Sequence, residues 1–294
     1  MKRFAYAAFL LLGLIWGSNF LFMKWAATWI SPSQIVLLRI LFGFLPILAL
    51  ALVRRVLSWG HLRHVHHFAV MALLATAIYY FAFAAGTALL PSGIAGMLSG
   101  AIPLFSFVTA YVFLREEPLN RWTISGLTLG FLGVLLIAQP WNSTQVINVR
   151  GVLYMILGSL SVGSSFVYAR RFLTNTGIPA LALSTYQIGL ALLILLAVTD
   201  YHGISHILAD THAVLGLVLG LGLLGTGVAY VLYYYIVQNL GALKAAGVTY
   251  IPPVVALSIG HLVAQEALQP LQLLAVALIL SGVYVLQRGK SSSK

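Results

Sequence analysis

The sequence predicts an all-α polytopic membrane protein: ten transmembrane helices, arranged as two inverted five-helix repeats, with both termini cytoplasmic. Three observations predict it. Charged residues make up 7% of the 294 positions and hydrophobic ones 61%, and the mean hydropathy is +1.00. A soluble domain carries roughly 25% charged residues and could not hide so much apolar surface. Ten apolar runs each come near the length of about 20 residues that crosses a hydrocarbon core. The stretch IPLFSFVTAYVFLREEPL (102–119) also returns 149 positions on as IPPVVALSIGHLVAQEAL (251–268). Without a gap, Ile251 falls on Ile102, Pro252 on Pro103, Glu266 on Glu117 and Leu268 on Leu119.

The runs follow in order. The first, 4–30, comes after Lys2 and Arg3 and runs on without an evident cleavage site, so it reads as a retained span rather than a signal peptide. The second, 34–53, begins after Pro32, where a helix's first turn needs no N–H. The third, 67–90, stops at Pro91, and the fourth, 92–114, carries Pro103 before Pro118 closes it. The fifth, 121–139, ends at Pro140, and the sixth is 149–173. Pro179 opens the seventh, 179–199, and the eighth is 213–240. The ninth, 243–265, holds Pro252 and Pro253, and Pro270 opens the tenth, 269–287. Nothing long enough for a soluble domain is left.

The net charge of +11 comes from bases scattered singly or in pairs between the runs. That pattern is a topology signal, not a phosphate-binding patch, and no nucleic-acid partner is expected. With the N-terminus inside, thirteen bases face the cytoplasm: Lys2, Arg3, Arg54, Arg55, Arg63, Arg115, Arg121, Arg170, Arg171, Lys244, Arg288, Lys290 and Lys294. Lys24, Arg39 and Arg150 fall on the outer side or at outer helix ends. The absence of cysteine excludes disulfides and thiolate chemistry.

The duplication extends beyond the opening pair. Gly133-Val134 meets Gly282-Val283 at the same offset, and GSNFLFMK (17–24) meets GSSFVYAR (163–170) at 146. Domain boundaries follow: 1–145 is the first repeat and 146–294 the second. Five spans per half is an odd number, so the second half is inserted upside down. Two such halves around a central site are the plan of many secondary transporters; a duplication kept for packing alone is the other reading.

Tyrosine and tryptophan in membrane helices gather at the interfaces, but here many do not. YYFAF places Tyr79, Tyr80 and Phe83 near the middle of span three, and YVLYYY places Tyr230 and Tyr234 in span eight. The i, i+4 pairs Tyr79/Phe83 and Tyr230/Tyr234 each share a helix face. They either line a cavity for aromatic or bulky apolar solutes, or fill gaps between helices. Trp16, Asn19, Ser99, Ser164 and Tyr250 complete the candidate lining, with Pro103 and Pro252. Asn19 holds either a solute or a neighbouring helix. Pro103 and the Pro252-Pro253 pair are expected to kink or loosen their helices and act as hinges, each freeing a backbone carbonyl. Glu117, with Arg121 as a partner, and Glu266 are candidate gate or helix-end anchors on opposite sides of the membrane.

His261 reads as a proton carrier or as a hydrogen-bonded packing residue. HLRHVHH (61–67) reads as a solvated inner loop, without the carboxylates or cysteines of a metal site. No metal or other cofactor is expected. NST (142–144) is a glycosylation sequon on the outer side.

The ten spans, the WGSNF start, Arg39 in span two and the P…E pattern of spans four and nine resemble the drug/metabolite transporter superfamily, EamA type, over essentially the whole chain. Within it the sequence is most similar to the YddG aromatic amino-acid exporters. The resemblance implies a basket with spans 1, 3, 4, 6, 8 and 9 around a central cavity and spans 5 and 10 near the pseudo-two-fold axis. One position departs from symmetry: Gln187 stands opposite Arg39.

The function expected is a monomeric inner-membrane carrier of amino acids and related small metabolites, working by alternating access. Outward direction and the preference for aromatic side chains rest mainly on the resemblance. A carrier of nucleotide sugars or drugs is the alternative, although only Arg39 and Lys24 supply candidate buried bases. A channel is disfavoured by the narrow, aromatic middle. An intramembrane enzyme is also disfavoured, because GMLSG (96–100) lacks the GxSG spacing of rhomboid-type proteases and no intramembrane aspartate pair exists.

Overall fold

A computed structural model of the chain describes residues 2–114, 119–139, 147–240 and 247–291, apart from the side chains of Lys2, Tyr234, Val237, Gln238, Lys290 and Ser291. Every regular element among these residues is a helix. Nine are long and apolar enough to cross a bilayer: α1 (Arg3–Ala26), α2 (Pro32–Val53), α3 (Trp59–Leu89), α4 (Ser92–Leu114), α5 (Arg121–Ala138), α6 (Val149–Phe172), α7 (Ala180–Val198), α8 (Thr211–Tyr233) and α10 (Pro270–Gly289). The remaining apolar helix, α9 (Gly247–Leu262), is shorter. Apolar side chains such as Phe4, Leu10, Leu45, Leu132 and Leu193 face outward and exposed, as a lipid-facing exterior requires.

Three local features depart from the sequence expectation. The α3 helix begins earlier than 67, in a 3-10 turn over Trp59–His64 that Ser58 caps by accepting from the Gly60 amide at 3.3 Å. His61 to His67 therefore form a helical entry, not a loop. Pro103, Pro252 and Pro253 do not lie in helix interiors, although Pro46 stands inside α2. α4 breaks one turn upstream of Pro103, at Gly100–Ala101, and resumes as Ile102–Leu114. Pro103 then lies in a first turn, where no N–H is missing. Pro252 and Pro253 likewise open Ile251–Leu262, after a 3-10 turn over Gly247–Tyr250. The third departure is π-helix, at Leu73–Ala77 in α3 and Gly216–Val228 in α8. The second of these carries five glycines in GLVLGLGLLGTGV, and Thr226 Oγ1 donates to the Leu221 carbonyl at 3.0 Å inside its widened turn.

Close packing explains the glycines. A Cβ at Gly220 would collide with Phe22, one at Gly43 with Thr226, and one at Gly227 with Pro46, so α8 lies tightly on α1 and α2. A Cβ at Gly17 would strike Val255 and come within 3.3 Å of the Pro252 Cα, which seats α1 on α9. One at Gly163 would stand 2.8 Å from the Ser106 amide, which seats α6 on α4. The α5–α10 contact is backbone against backbone, since a Cβ at Gly282 would be 2.5 Å from the Gly130 nitrogen.

Candidate functional site

Two constructions involve the polar residues of the described spans. The first lies at one end of the bundle, at the α3–α4 hairpin. Lys24, near the end of α1, donates its ammonium to the carbonyls of Ala88 (3.1 Å) and Leu90 (2.8 Å). Those are the orphan carbonyls at the close of α3. Glu266, past the end of α9, accepts on Oε1 from the Ser92 amide (2.6 Å) and hydroxyl (2.8 Å), and on Oε2 from the Gly93 amide (2.8 Å). It thus caps the first turn of α4. A cation at a helix C-terminus and an anion at the next helix N-terminus both complement the backbone dipoles. The approach to Gly93 is close, since a Cβ there would lie 3.1 Å from Glu266 Oε2.

The carboxylate arrives at this position because the chain reverses after α9. Gln265 adopts φ +54°, and the Glu266 amide returns to the Gly260 carbonyl at 3.0 Å. His261 is exposed and its Nδ1 lies 3.0 Å from the Glu266 carbonyl, so it is not a buried packing group. Glu117, expected as the counterpart of Glu266, lies outside the described residues. Arg121 is exposed at the start of α5 and stands over the Trp122 ring.

The second construction is in the middle of the bundle. Arg39, expected near an outer helix end, is buried to 5% exposure. Its guanidinium lies over the Tyr80 ring at 3.8 Å, Nε donates to Thr226 Oγ1 at 3.1 Å, and one terminal nitrogen reaches the Gly225 carbonyl at 3.5 Å. Tyr80 and Phe83 both meet the ring of Tyr79, at 4.9 and 4.6 Å between centroids, and Phe20 of α1 stands 5.9 Å from Phe83. Asn19, one residue before Phe20, is 4% exposed, and its Oδ1 has no hydrogen-bond partner. A Cβ on Gly225 would run into that oxygen, so Asn19 and Arg39 meet the same residue of α8.

Of the residues expected to line a site, the structure brings Asn19, Tyr79, Tyr80 and Phe83 together. Trp16 lies instead beside Tyr233, at 6.2 Å between ring centroids, in a smaller cluster with Leu12 and Ile236. Tyr230 packs on the main core, and the Tyr234 side chain lies outside the described residues. Ser99 donates to its own helix at the Gly96 carbonyl (2.6 Å), Ser164 lies 3.3 Å from Thr109 Oγ1, and Tyr250 Oη accepts from Gln287. Pro103 is half-buried, and Pro252 and Pro253 are buried.

Sequence reasoning missed the pairing of Arg39 with Tyr80 and Thr226, and the part played by Lys24. The available signal was a base seven residues into an apolar helix, since ionisable groups inside a membrane are there for a purpose. Outside the spans, Asp210 caps α8. The amide of Ala213 above all, and that of His212, hold its carboxyl below the usual carboxylate range. Among the described residues no group of three His, Cys, Asp or Glu is placed to hold a metal.

Comparison with known proteins adds the relatives. The family model described as EamA-like transporter family matches residues 3–139 and 149–288. An "Uncharacterized inner membrane transporter YedA" of Escherichia coli (strain K12) is 26% identical, with 97% of this chain and 91% of that protein covered. An "Uncharacterized transporter" of Archaeoglobus fulgidus is 22% identical, covering 93% and 95%. The "Uncharacterized transporter YdfC" of Bacillus subtilis (strain 168) is 27% identical, covering 93% and 87%. One solved crystal structure superposes with a TM-score of 0.59 at 20% identity over 99% of both chains, a likeness of fold.

Proposed function

The chain belongs to the EamA-like transporter family, and from that premise we propose that it is a secondary carrier exporting amino acids and related small metabolites across the inner membrane, with aromatic or bulky apolar side chains preferred. The observation that carries this reading is the ring wall of Tyr79, Tyr80 and Phe83. It stands inside the bundle against α1 and α2, not at a membrane interface where such rings normally gather. Ring faces offer a solute's aromatic or apolar side chain a surface of matching chemistry. Arg39 and Asn19 beside it supply polar contacts for a head group.

Alternating access between two inverted repeats, 1–145 and 146–294, completes the proposal. Contacts recur in pairs related by the sequence offsets of 146 to 150. Gly17 rests on Val255 and Pro252, as Gly163 rests on Phe105 and Ser106. Arg39 Nε donates to Thr226, as Gln187 Nε2 donates to Thr76 at 2.8 Å. Two halves around a pseudo-two-fold axis make such pairs, and the α4 and α9 turns before Pro103 and Pro252 are natural hinges. The distribution of the basic residues supports both termini facing the cytoplasm. The residues of the proposed site all come from one chain, which supports a monomer.

Counterflow in proteoliposomes tests this. Vesicles preloaded with phenylalanine or tryptophan should accumulate labelled tracer, and Tyr79→Ala or Tyr80→Ala should weaken exchange while the protein stays folded. A folded protein that exchanges no amino acid would overturn the substrate class. Nucleotide sugars and drugs would then be the solutes to try.

A further inference from the structure

We infer that Arg39 and Asn19 form a two-point receptor for the head group of an α-amino acid: the guanidinium takes its carboxylate and Asn19 Oδ1 takes its ammonium. This rests on the amino-acid carrier reading above and deepens it. Arg39 is about 10 Å along α2 from its start, at ~1.5 Å per residue, and it is enclosed by α3 and α8. A guanidinium offers five N–H donors. One is spent on Thr226 Oγ1, and a second reaches the Gly225 carbonyl only at 3.5 Å. The Tyr80 face takes up part of the charge. Among the described residues no carboxylate pairs with it. A buried cation without a counter-ion is costly, and one persists where a ligand supplies the anion.

Asn19 presents the complementary need. Its Oδ1 is a buried acceptor with no donor, and an unmet acceptor of that kind is destabilising unless something donates to it. An ammonium group brings three donors. The two groups meet at Gly225, where any side chain would block Asn19. A head group seated there would leave its side chain on the neighbouring wall of Tyr79, Tyr80 and Phe83.

The other half of the chain argues for one such head and not two. Gln187 stands at the repeat position of Arg39, is neutral, and already donates to Thr76. Ser165 stands at the position of Asn19, and its hydroxyl is satisfied by the Val162 carbonyl at 2.7 Å. A single guanidinium matches one carboxylate and falls short of a diphosphate, which would call for several bases.

The test separates head-group recognition from transport. Tracer exchange is competed with tryptophan, with tryptamine (no carboxylate) and with indole-3-propionate (no ammonium), for the parent protein, Arg39→Gln, Arg39→Lys and Asn19→Leu. In the parent, each analogue should compete at least about tenfold less well than tryptophan. Arg39→Gln should erase the preference for tryptophan over tryptamine, and Arg39→Lys should restore part of it. Asn19→Leu should erase the preference over indole-3-propionate alone. Equal competition by all three compounds in the parent overturns the proposal, as does retained discrimination in folded Arg39→Gln. If tryptophan is not carried, the substrate reading fails by itself. Thermal stabilisation by a panel of α-amino acids then decides the inference: a shift in the parent that Arg39→Gln abolishes sustains it, and equal shifts or none overturn it.

Discussion

Replacing Glu266 by glutamine should loosen the α3–α4 hairpin and open that end of the bundle. The carboxylate accepts three hydrogen bonds, two on Oε1 and one on Oε2. Glutamine keeps one oxygen and turns an amino group toward an amide that is itself a donor. One backbone N–H at the start of α4 then loses its acceptor, at about 1–3 kcal/mol. Loss of the negative charge from the helix N-terminus adds about 0.3–1 kcal/mol. A central value of about 2.7 kcal/mol for the two together raises the open population about eightyfold, at ~1.4 kcal/mol per factor of ten. The chain has no cysteine, so Ser99→Cys, 5% exposed beside the α4 break, supplies a single reporter thiol. Its maleimide alkylation rate should rise by about that factor in Glu266→Gln, as local opening controls access to a buried thiol. The thermal midpoint should fall as well. Ser92→Ala, which loses only the hydroxyl bond, should move both quantities less. An unchanged rate together with an unchanged midpoint would refute the reasoning, because it would mean that the three short bonds do not hold the hairpin.

Two further outcomes follow from packing and from the buried cation. Gly282→Ala puts a methyl group 2.5 Å from the Gly130 nitrogen, where only backbone could yield, so it should cost about 1–3 kcal/mol and lower the thermal midpoint. Gly189→Ala, which meets only the Phe44 ring at 3.3 Å, should move the midpoint far less. Tyr80→Phe keeps a ring under Arg39 and should keep stability, whereas Tyr80→Leu removes it and should destabilise by up to ~2 kcal/mol, read by thermal melting in detergent.

The all-helical class and nine of the ten expected spans were legible because crossing a bilayer imposes one length and one polarity on every element; the ninth run, 243–265, is among the described residues a shorter apolar helix, Gly247–Leu262. Prolines and bases marked most of the boundaries. The misplacements have local causes. Pro103 and Pro252 read as interruptions because sequence alone does not tell the interior of a helix from the first turn of a restarted one. The π-helical turns left no clear periodic signature, since a glycine-rich apolar run such as 216–228 suits several helical geometries. Tyr79 and Phe83 were legible as a pair because i, i+4 spacing puts them on one helix face, and Tyr80 is adjacent in sequence. Arg39 and Lys24 were legible as bases within or beside apolar runs, but what they touch depends on residues 41 to 187 positions away in the chain. Contacts at that range follow from tertiary packing, which the local pattern does not encode.

Similar packing and dissimilar polar groups answer different demands on the two halves. A carrier that rocks must hold two conformations within a few kcal/mol of each other, or one state empties. In the proposed carrier, duplicated halves would meet that demand, since contacts such as Gly17 on Val255 and Gly163 on Ser106 would be exchanged for one another. A solute with a single carboxylate and a single ammonium makes the opposite demand. A second buried arginine in place of Gln187 would stay unpaired whenever one solute was bound, and an unpaired buried charge costs several kcal/mol. Glutamine at that position meets Thr76 and carries no charge, so it serves the packing without adding a second anion site. On the proposed reading, the differences between Arg39 and Gln187 and between Asn19 and Ser165 fall where a head group would sit, and the Gly17 and Gly163 contacts beside them keep the duplicated pattern.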